Sequence, residues 1–304
     1  MLNNPCMPEL KFAFLNVGQG DSTIITLPDR TTAIIVDCHT NAVKRYIDKN
    51  AITDIEYVFL THSDYDHASQ TVTLLQNYMS ATFLFYPDTL RMIDQKRVLL
   101  RKLNKLFDEG LKTDEPNLGD RWQTQGVDIE VLHPSTADRS KAWERNKYGD
   151  TNNISTLLRI TFAGKQALLT GDLAEKGWEA VVKRGTDLKA DVLKFPHHGG
   201  YYETSGNHAL PKLLLRIAPS IVILSVGTTN KYNHPHPKVI EMLENHPDVL
   251  FRCTQATLNC FPNLSTPKIA TPCGGNIEII FRENHVDFVT EYNPAVCRRQ
   301  LFWS

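Results

Sequence analysis

Short apolar runs broken by glycine, proline and asparagine turns recur along the chain, and between them lie longer stretches with apolar positions three and four residues apart. The first period reads as strand and the second as helix. Residues 11–17 alternate as a strand, Gly18-Gln19-Gly20-Asp21 makes a tight turn, and residues 22–27 return as a second strand. A Pro28-Asp29-Arg30 turn leads into a third strand at 32–36, so the chain opens as an antiparallel meander. Helix, strand and helix then follow at 41–49, 56–60 and 68–79, a strand at 81–86 and a helix at 89–109, whose basic residues read as a solvated face. Residues 110–126 read as irregular. A strand at 127–132, a loop or short helix at 135–151 and a hairpin from 152–162 to 166–170 restart the pattern. It continues with a helix at 174–184, a strand at 191–195, a helix at 207–217 and a strand at 220–224. A polar loop at 225–236, a helix at 237–245 and strands near 249–252, 276–281 and 286–290 complete it. Antiparallel strands, helix, strand and helix thus occur twice, which predicts an α/β protein built as a four-layer αβ/βα sandwich, two sheets face to face with helices outside. One domain is expected over residues 10–292, with a flexible N-terminus at 1–9 and a tail at 293–304.

Composition changes this picture little. Apolar residues make up 41% and charged residues 22%, enough apolar material for a sizeable core. The 33 lysines and arginines nearly cancel the 34 aspartates and glutamates, so no basic field draws in nucleic acid by charge alone. That counts against a DNA-coating protein but not against a nuclease, where bound metal supplies the positive charge at the site. No run approaches the roughly 18 apolar residues of a membrane span, and Met1 to Cys6 lack the form of a signal peptide, so a cytoplasmic protein with no membrane partner is expected. The six cysteines are too scattered to frame a secreted fold and read as reduced thiols.

The chemistry concentrates at predicted strand ends. Thr61-His62-Ser63-Asp64-Tyr65-Asp66-His67 packs two imidazoles and two carboxylates into one turn, a density that a divalent cation such as Zn²⁺ or Mn²⁺ explains and a bare turn does not. Asp37 closes an apolar strand and serves either to cap the following helix or to support the metal loop. Asp172 follows an apolar strand and Gly171, well placed to bridge two cations. His197-His198 stand at another strand end; one can be a ligand while its neighbour contacts backbone or substrate.

Asp37, His62-x-Asp64-x-Asp66-His67, Gly171-Asp172 and Pro196-His197-His198-Gly199 form an ordered set that resembles the metallo-β-lactamase superfamily. Within it, Asn16-Val-Gly-Gln-Gly-Asp21, Asn152-Asn153 with Ser155, Leu168-Leu-Thr-Gly-Asp172, Leu193-Lys-Phe-Pro-His-His-Gly199, and Ser225-Val-Gly with Asn230, Tyr232 and His234-Pro-His236 look most like the hydrolase domain of ComEC-type competence DNA-uptake proteins and its free-standing relatives. The resemblance implies two divalent metal ions, Zn or Mn: His62 and Asp64 on one, Asp66 and His67 on the other, and Asp172 between. His197, in preference to His198, would complete the second site, and His133 is the candidate third histidine of the first. Asp64 stands where most members carry histidine, and its oxygen shifts preference toward manganese or magnesium. Asp37, Asp21 and Asn153 would support the ligands. Lys194, His234 and Tyr232, with Asp66, would carry the catalytic contacts to phosphate and leaving oxygen. The implied activity is a phosphodiesterase or nuclease acting on nucleic acid. Alternatives are a small-molecule phosphoesterase of the phosphorylcholine or cyclic-nucleotide type, or an inactive binding or sensing module. Residues 254–274 read as an inserted loop that Cys253, Cys260 and Cys273 could staple by metal or disulfide, or in which they are unrelated buried thiols. Oligomeric state stays open.

Overall fold

The computed structural model describes residues 7–87, 94–145, 151–261 and 271–290. The expected C-terminal tail, most of the expected N-terminal segment and the middle of the 254–274 segment lie outside the described residues. Among the described residues the first sheet has eight strands in the order β15-β14-β1-β2-β3-β4-β5-β6. These are β1 (Leu10–Phe14), β2 (Thr23–Thr26), β3 (Thr32–Val36), β4 (Asp54–Phe59), β5 (Thr82–Leu84), β6 (Lys112–Asp114), β14 (Ile277–Phe281) and β15 (Val286–Thr290). The second has seven, β13-β12-β11-β10-β9-β8-β7. Its strands are β7 (Arg121–Thr124), β8 (Val127–His133), β9 (Leu157–Phe162), β10 (Lys165–Leu169), β11 (Val192–Lys194), β12 (Ile221–Leu224) and β13 (Leu250–Cys253). Each half begins antiparallel and turns parallel: β1 to β3 form a meander and β3 to β6 run parallel, while β7 to β10 form a meander and β10 to β13 run parallel.

Strand alternation divides the core into three layers. Phe12, Phe14, Ile25, Ile34 and Val36 point between the sheets, where they meet Ile129, Val131, Leu158, Ile160 and Ile223 of the second sheet. Their neighbours Ala13, Ile24, Ala33 and Ile35 point the other way, under Val43, Tyr46 and Ile47 of the helix Ala42–Lys49 and Leu74 and Leu75 of the helix Thr71–Asn77. Trp178 and Val181 of the helix Glu175–Lys183, Leu213 and Leu214 of Leu210–Ile217, and Val239 and Leu243 of Pro237–Glu244 cover the second sheet in the same way. With both faces covered, central strands are apolar at nearly every position. Four layers, helix, sheet, sheet, helix, result.

The expected helix at 68–79 is broken: Tyr65–Ala68 belongs to the metal loop, and a separate helix runs Thr71–Asn77. Residues 110–126, read as irregular, contain β6 and β7, both at sheet edges and largely exposed. Residues 135–145 include the helix Thr136–Arg145, and a 3-10 turn at Thr151–Ile154 precedes β9. Strand ends carry the chemistry: β3 runs into Asp37, β4 into the loop from Thr61, β10 into Gly171-Asp172, β11 into the histidine pair, and β12 into the loop holding His234.

Candidate metal centre

Asp172 stands at the middle of the cluster, 4% exposed, and its two oxygens face different groups. Oδ1 lies 3.3 Å from His67 Nε2 and 3.4 Å from His198 Nε2. The Nε2 atoms of His67 and His198 are themselves 3.3 Å apart, and Asp66 Oδ2 is 3.5 Å from His198 Nε2. Oδ2 lies 3.9 Å from both His62 Nε2 and His197 Nε2, and Asp64 Oδ2 is 3.8 Å from His62 Nε2. Asp21, His67, Asp172 and His198 present donor atoms all within 4.8 Å of one another, and all four are buried.

Three histidines are tethered at Nδ1, which turns Nε2 toward this common space. His67 Nδ1 donates to Asp37 Oδ2 at 2.7 Å, His198 Nδ1 to the Ser225 carbonyl at 2.9 Å, and His62 Nδ1 to Thr61 Oγ1 at 3.2 Å. This is the arrangement by which a partner fixes tautomer and ring orientation for a metal. Asp37 extends the tether, accepting from Thr61 N and Thr61 Oγ1, both at 2.8 Å. The backbone is bent to achieve it: Asp37, His197 and His198 adopt φ of 61°, 50° and 53°. Gly171 is equally constrained, because at its φ of +48° a Cβ would meet Thr61 Oγ1 at 2.7 Å.

Burial and the close carboxylates set the protonation of the cluster. Burial disfavours the charged forms of His67 and His198, but Asp172, helped by Asp37 at His67 and by Asp66 and Asp21 at His198, outweighs it. Both imidazoles are raised, His198 to about 10. Asp172 is pushed up by burial yet held well below the usual carboxylate range by His198 and His67. His62 goes down, through burial and the neighbouring His67, and among the described residues its buried Nε2 has no hydrogen-bond partner; neither has Asp21 Oδ1. Carboxylate-imidazole contacts of 3.3 to 3.4 Å are longer than good charge-assisted bonds, and orphaned buried atoms are costly. A divalent cation would serve these donors, so the residues fit the group the metal-loop motif implies.

Several expected residues sit elsewhere. His198 rather than His197 stands in the second group, whereas His197 Nε2 lies on the Oδ2 side, 3.9 Å from Asp172 and 3.4 Å from Asn152 Nδ2, with its side chain 38% exposed. His133 is not brought to the cluster. It is buried, its Nε2–H donates to the Asn153 carbonyl at 2.9 Å, and its Nδ1 accepts from Arg184 at 3.1 Å, so neither nitrogen is left for a metal. Lys194 cannot reach substrate as expected, because its ammonium is buried against Asp21 Oδ2 at 2.7 Å. Asp21 itself, expected as a support, stands within the metal-capable group. Asn153 supports a helix rather than a ligand, accepting from Lys176 N and Gly177 N at 2.8 and 3.1 Å. His234 does flank the site, its ring 5.3 Å from that of His197, with the half-exposed Tyr232 stacked on it at 5.8 Å. Burial, with His197 and His198, pushes His234 down to about 4. Cys253 and Cys273 are buried in the core under the second sheet with Cys260 packed against it, and no cysteine joins a metal-capable group among the described residues. Thr61 and Ser225 belong to the sequence motifs, which carry no sign of the role they take here, orienting His62 and His198 at Nδ1.

Residues 15–207 match the family described as the Metallo-beta-lactamase superfamily. ComE operon protein 3 of Bacillus subtilis is 25% identical over 272 residues, covering 83% of this chain and 33% of that protein. Recombination protein 2 of Haemophilus influenzae is 27% identical over 242 residues, covering 76% of this chain and 26% of that protein. The chain thus spans about a third or less of the length of these relatives. Among solved structures, Zn(2+)-bound PqqB from Methylobacterium extorquens shares the fold at a TM-score of 0.50 and 13% identity, over 77% of this chain and 85% of that one. The family match runs unbroken through the metal loop, Asp172 and the histidine pair, and the chain belongs to the metallo-beta-lactamase superfamily.

Proposed function

We propose that the chain is a metal-dependent phosphodiesterase with nucleic acid as its substrate. The observation that carries this reading is the division of Asp172 between two groups of metal-capable side chains, His62, Asp64 and His197 about Oδ2 and His67, Asp66 and His198 about Oδ1. These residues would hold two divalent cations, zinc or manganese, with Asp21 beside the second group. Such cations supply a nucleophile at neutral pH and Lewis-acid stabilisation of charge on phosphoryl oxygens.

The chain's own groups then orient the phosphate. Burial keeps His234 neutral near pH 7, so it acts as a hydrogen-bonding contact to the leaving oxygen rather than as an acid. Tyr232 holds the His234 ring by stacking. Similarity to a protein named for recombination favours a nucleic-acid substrate. The net charge of −1 favours the second reading, a small phosphoester. Plasmid, single-stranded DNA, RNA and bis-p-nitrophenyl phosphate are to be compared with chelator-free protein under Mn²⁺ and under Zn²⁺. Turnover of nucleic acid, lost in Asp172→Asn, is the expected result; turnover of the small ester alone removes the nuclease reading.

A further inference from the structure

We propose that the cavity beside His197 binds one unstacked nucleobase of the substrate chain, a proposal that rests on the phosphodiesterase reading and names what lies next to the scissile phosphate. The cavity has a volume of about 380 Å³ and adjoins the metal centre through His197, whose Nε2 is 3.9 Å from Asp172 Oδ2. This volume falls within the roughly 300–1,000 Å³ of small-molecule sites. It admits a base with its sugar and not a stacked helix.

The lining is chosen for a flat, polar-edged ring. Leu173 and Pro196 give apolar wall, and Tyr201, Tyr202 and His234 bring aromatic rings to it. Those rings are held in place before any ligand arrives. Tyr201 stacks on His236 with centroids 5.1 Å apart, and the Tyr202 hydroxyl donates to the His208 carbonyl at 2.7 Å. Fixed aromatic rings bind bases with little ordering cost, and stacking tolerates any base because each has a π-face. At the rim, Glu175 offers an acceptor for an exocyclic amine and Lys176 a cation for phosphate. Lys176 also lines a second cavity of about 400 Å³ whose wall carries Lys141 and the ion pairs Lys183–Glu179 and Arg184–Asp138. Two cavities that share Asn153 and Lys176 in their walls suit successive nucleotides of one strand better than a single small ester.

The test is calorimetric titration of the metal-loaded protein with deoxyadenosine 5′-monophosphate and, separately, with 2-deoxyribose 5-phosphate, which carries the same phosphate and sugar without the base. The nucleotide is expected to bind at least about tenfold tighter. Tyr202→Leu should bring the two affinities together while Tyr202→Phe, which keeps the ring, should retain the difference. Equal or undetectable binding of both ligands by the unaltered protein overturns the proposal, whatever the variants do. Bis-p-nitrophenyl phosphate turnover by the same preparation separates the two readings. Discrimination without turnover keeps the nucleotide pocket and removes the phosphodiesterase, and turnover without discrimination does the reverse.

Discussion

Asp37→Asn is the sharpest perturbation of the centre, because it changes one atom without emptying space. Asp37 Oδ1 accepts from Thr61 N, and Oδ2 accepts from both Thr61 Oγ1 and His67 Nδ1. In the amide one of these oxygens becomes a donor. Placing the NH₂ at the Oδ1 position sets it against the Thr61 backbone N–H, which can only donate. The NH₂ therefore takes the Oδ2 position, where Thr61 Oγ1 can accept, and His67 Nδ1 must accept as well. That moves the His67 proton to Nε2, the atom 3.3 Å from Asp172 Oδ1 that would otherwise face the metal. Asparagine tolerates the left-handed φ of 61° as aspartate does, so the backbone is not strained further. Metal affinity should fall about 10- to 100-fold, or roughly 1.4–2.8 kcal/mol, as for other partners of ligating histidines, with a smaller loss of metal-free stability because Asp37 no longer supports the charged His67. Competition against a chromophoric chelator measures it, with circular dichroism confirming the fold. An affinity within about threefold of the unaltered protein refutes the tautomer argument. Asp37→Ala is no substitute, since it strands three buried donors and would cost about 1–3 kcal/mol for each.

Other consequences are smaller in scope. Because His198 is raised to about 10 and His67 is raised as well, both carry protons that a metal must displace, so metal affinity should climb as pH rises from 6 to 9; calorimetry in buffers of different ionisation enthalpy should detect the released protons. In the metal-free protein the same two groups stabilise the fold fully below the unfolded histidine value of about 6.5 and lose that contribution only as pH climbs toward their folded values, which a series of urea titrations would show. Lys194→Met leaves the Asp21 carboxylate buried beside an apolar chain and should destabilise by about 3–5 kcal/mol in urea unfolding, an effect that adding Asp21→Leu should reduce. His133→Gln should lower stability with metal content unchanged, whereas His62→Gln should lower metal content; elemental analysis showing the opposite pattern would restore His133 as a ligand.

The sandwich was legible because its central strands are buried on both faces, so runs such as Thr32–Val36 and Ile221–Leu224 stand out as continuous apolar segments. Edge strands carry no such signal. Lys112–Asp114 is exposed throughout and Arg121–Thr124 alternates between exposed and half-buried positions, so neither contrasts with the surrounding loop. In the site, the motif spacing was enough to gather His62, Asp64, Asp66, His67 and Asp172, because each follows a strand that ends at the same rim. What the spacing could not supply was the direction of a side chain past the strand end. Lys194 is the last residue of β11, and whether its ammonium turns to substrate or to Asp21 depends on a partner 173 positions away. His133 likewise ends a strand, but Arg184 and the Asn153 carbonyl engage its ring from elements distant in sequence.

The histidine pair shows how much rests on backbone that no pattern of apolar residues encodes. In a relaxed strand His197 and His198 would alternate across a sheet face, and the residue nearer the bridging carboxylate could be guessed either way. Here both adopt left-handed φ, at roughly 1–3 kcal/mol each, immediately after β11. The chain can hold that strain because Gly200 N is bonded to the His197 carbonyl at 2.7 Å, His197 N to the Gly171 carbonyl at 3.1 Å, and His198 Nδ1 to the Ser225 carbonyl at 2.9 Å. The consequence is a division of labour between adjacent residues. His198 turns inward, complete in its burial, to meet His67, Asp66 and Asp172, while His197 keeps one edge 3.9 Å from Asp172 and shows the rest to the aromatic cavity. A strained turn at this point therefore joins the two halves of the proposed chemistry: the same short segment that completes the buried donor set also forms the wall against which a substrate's base would lie.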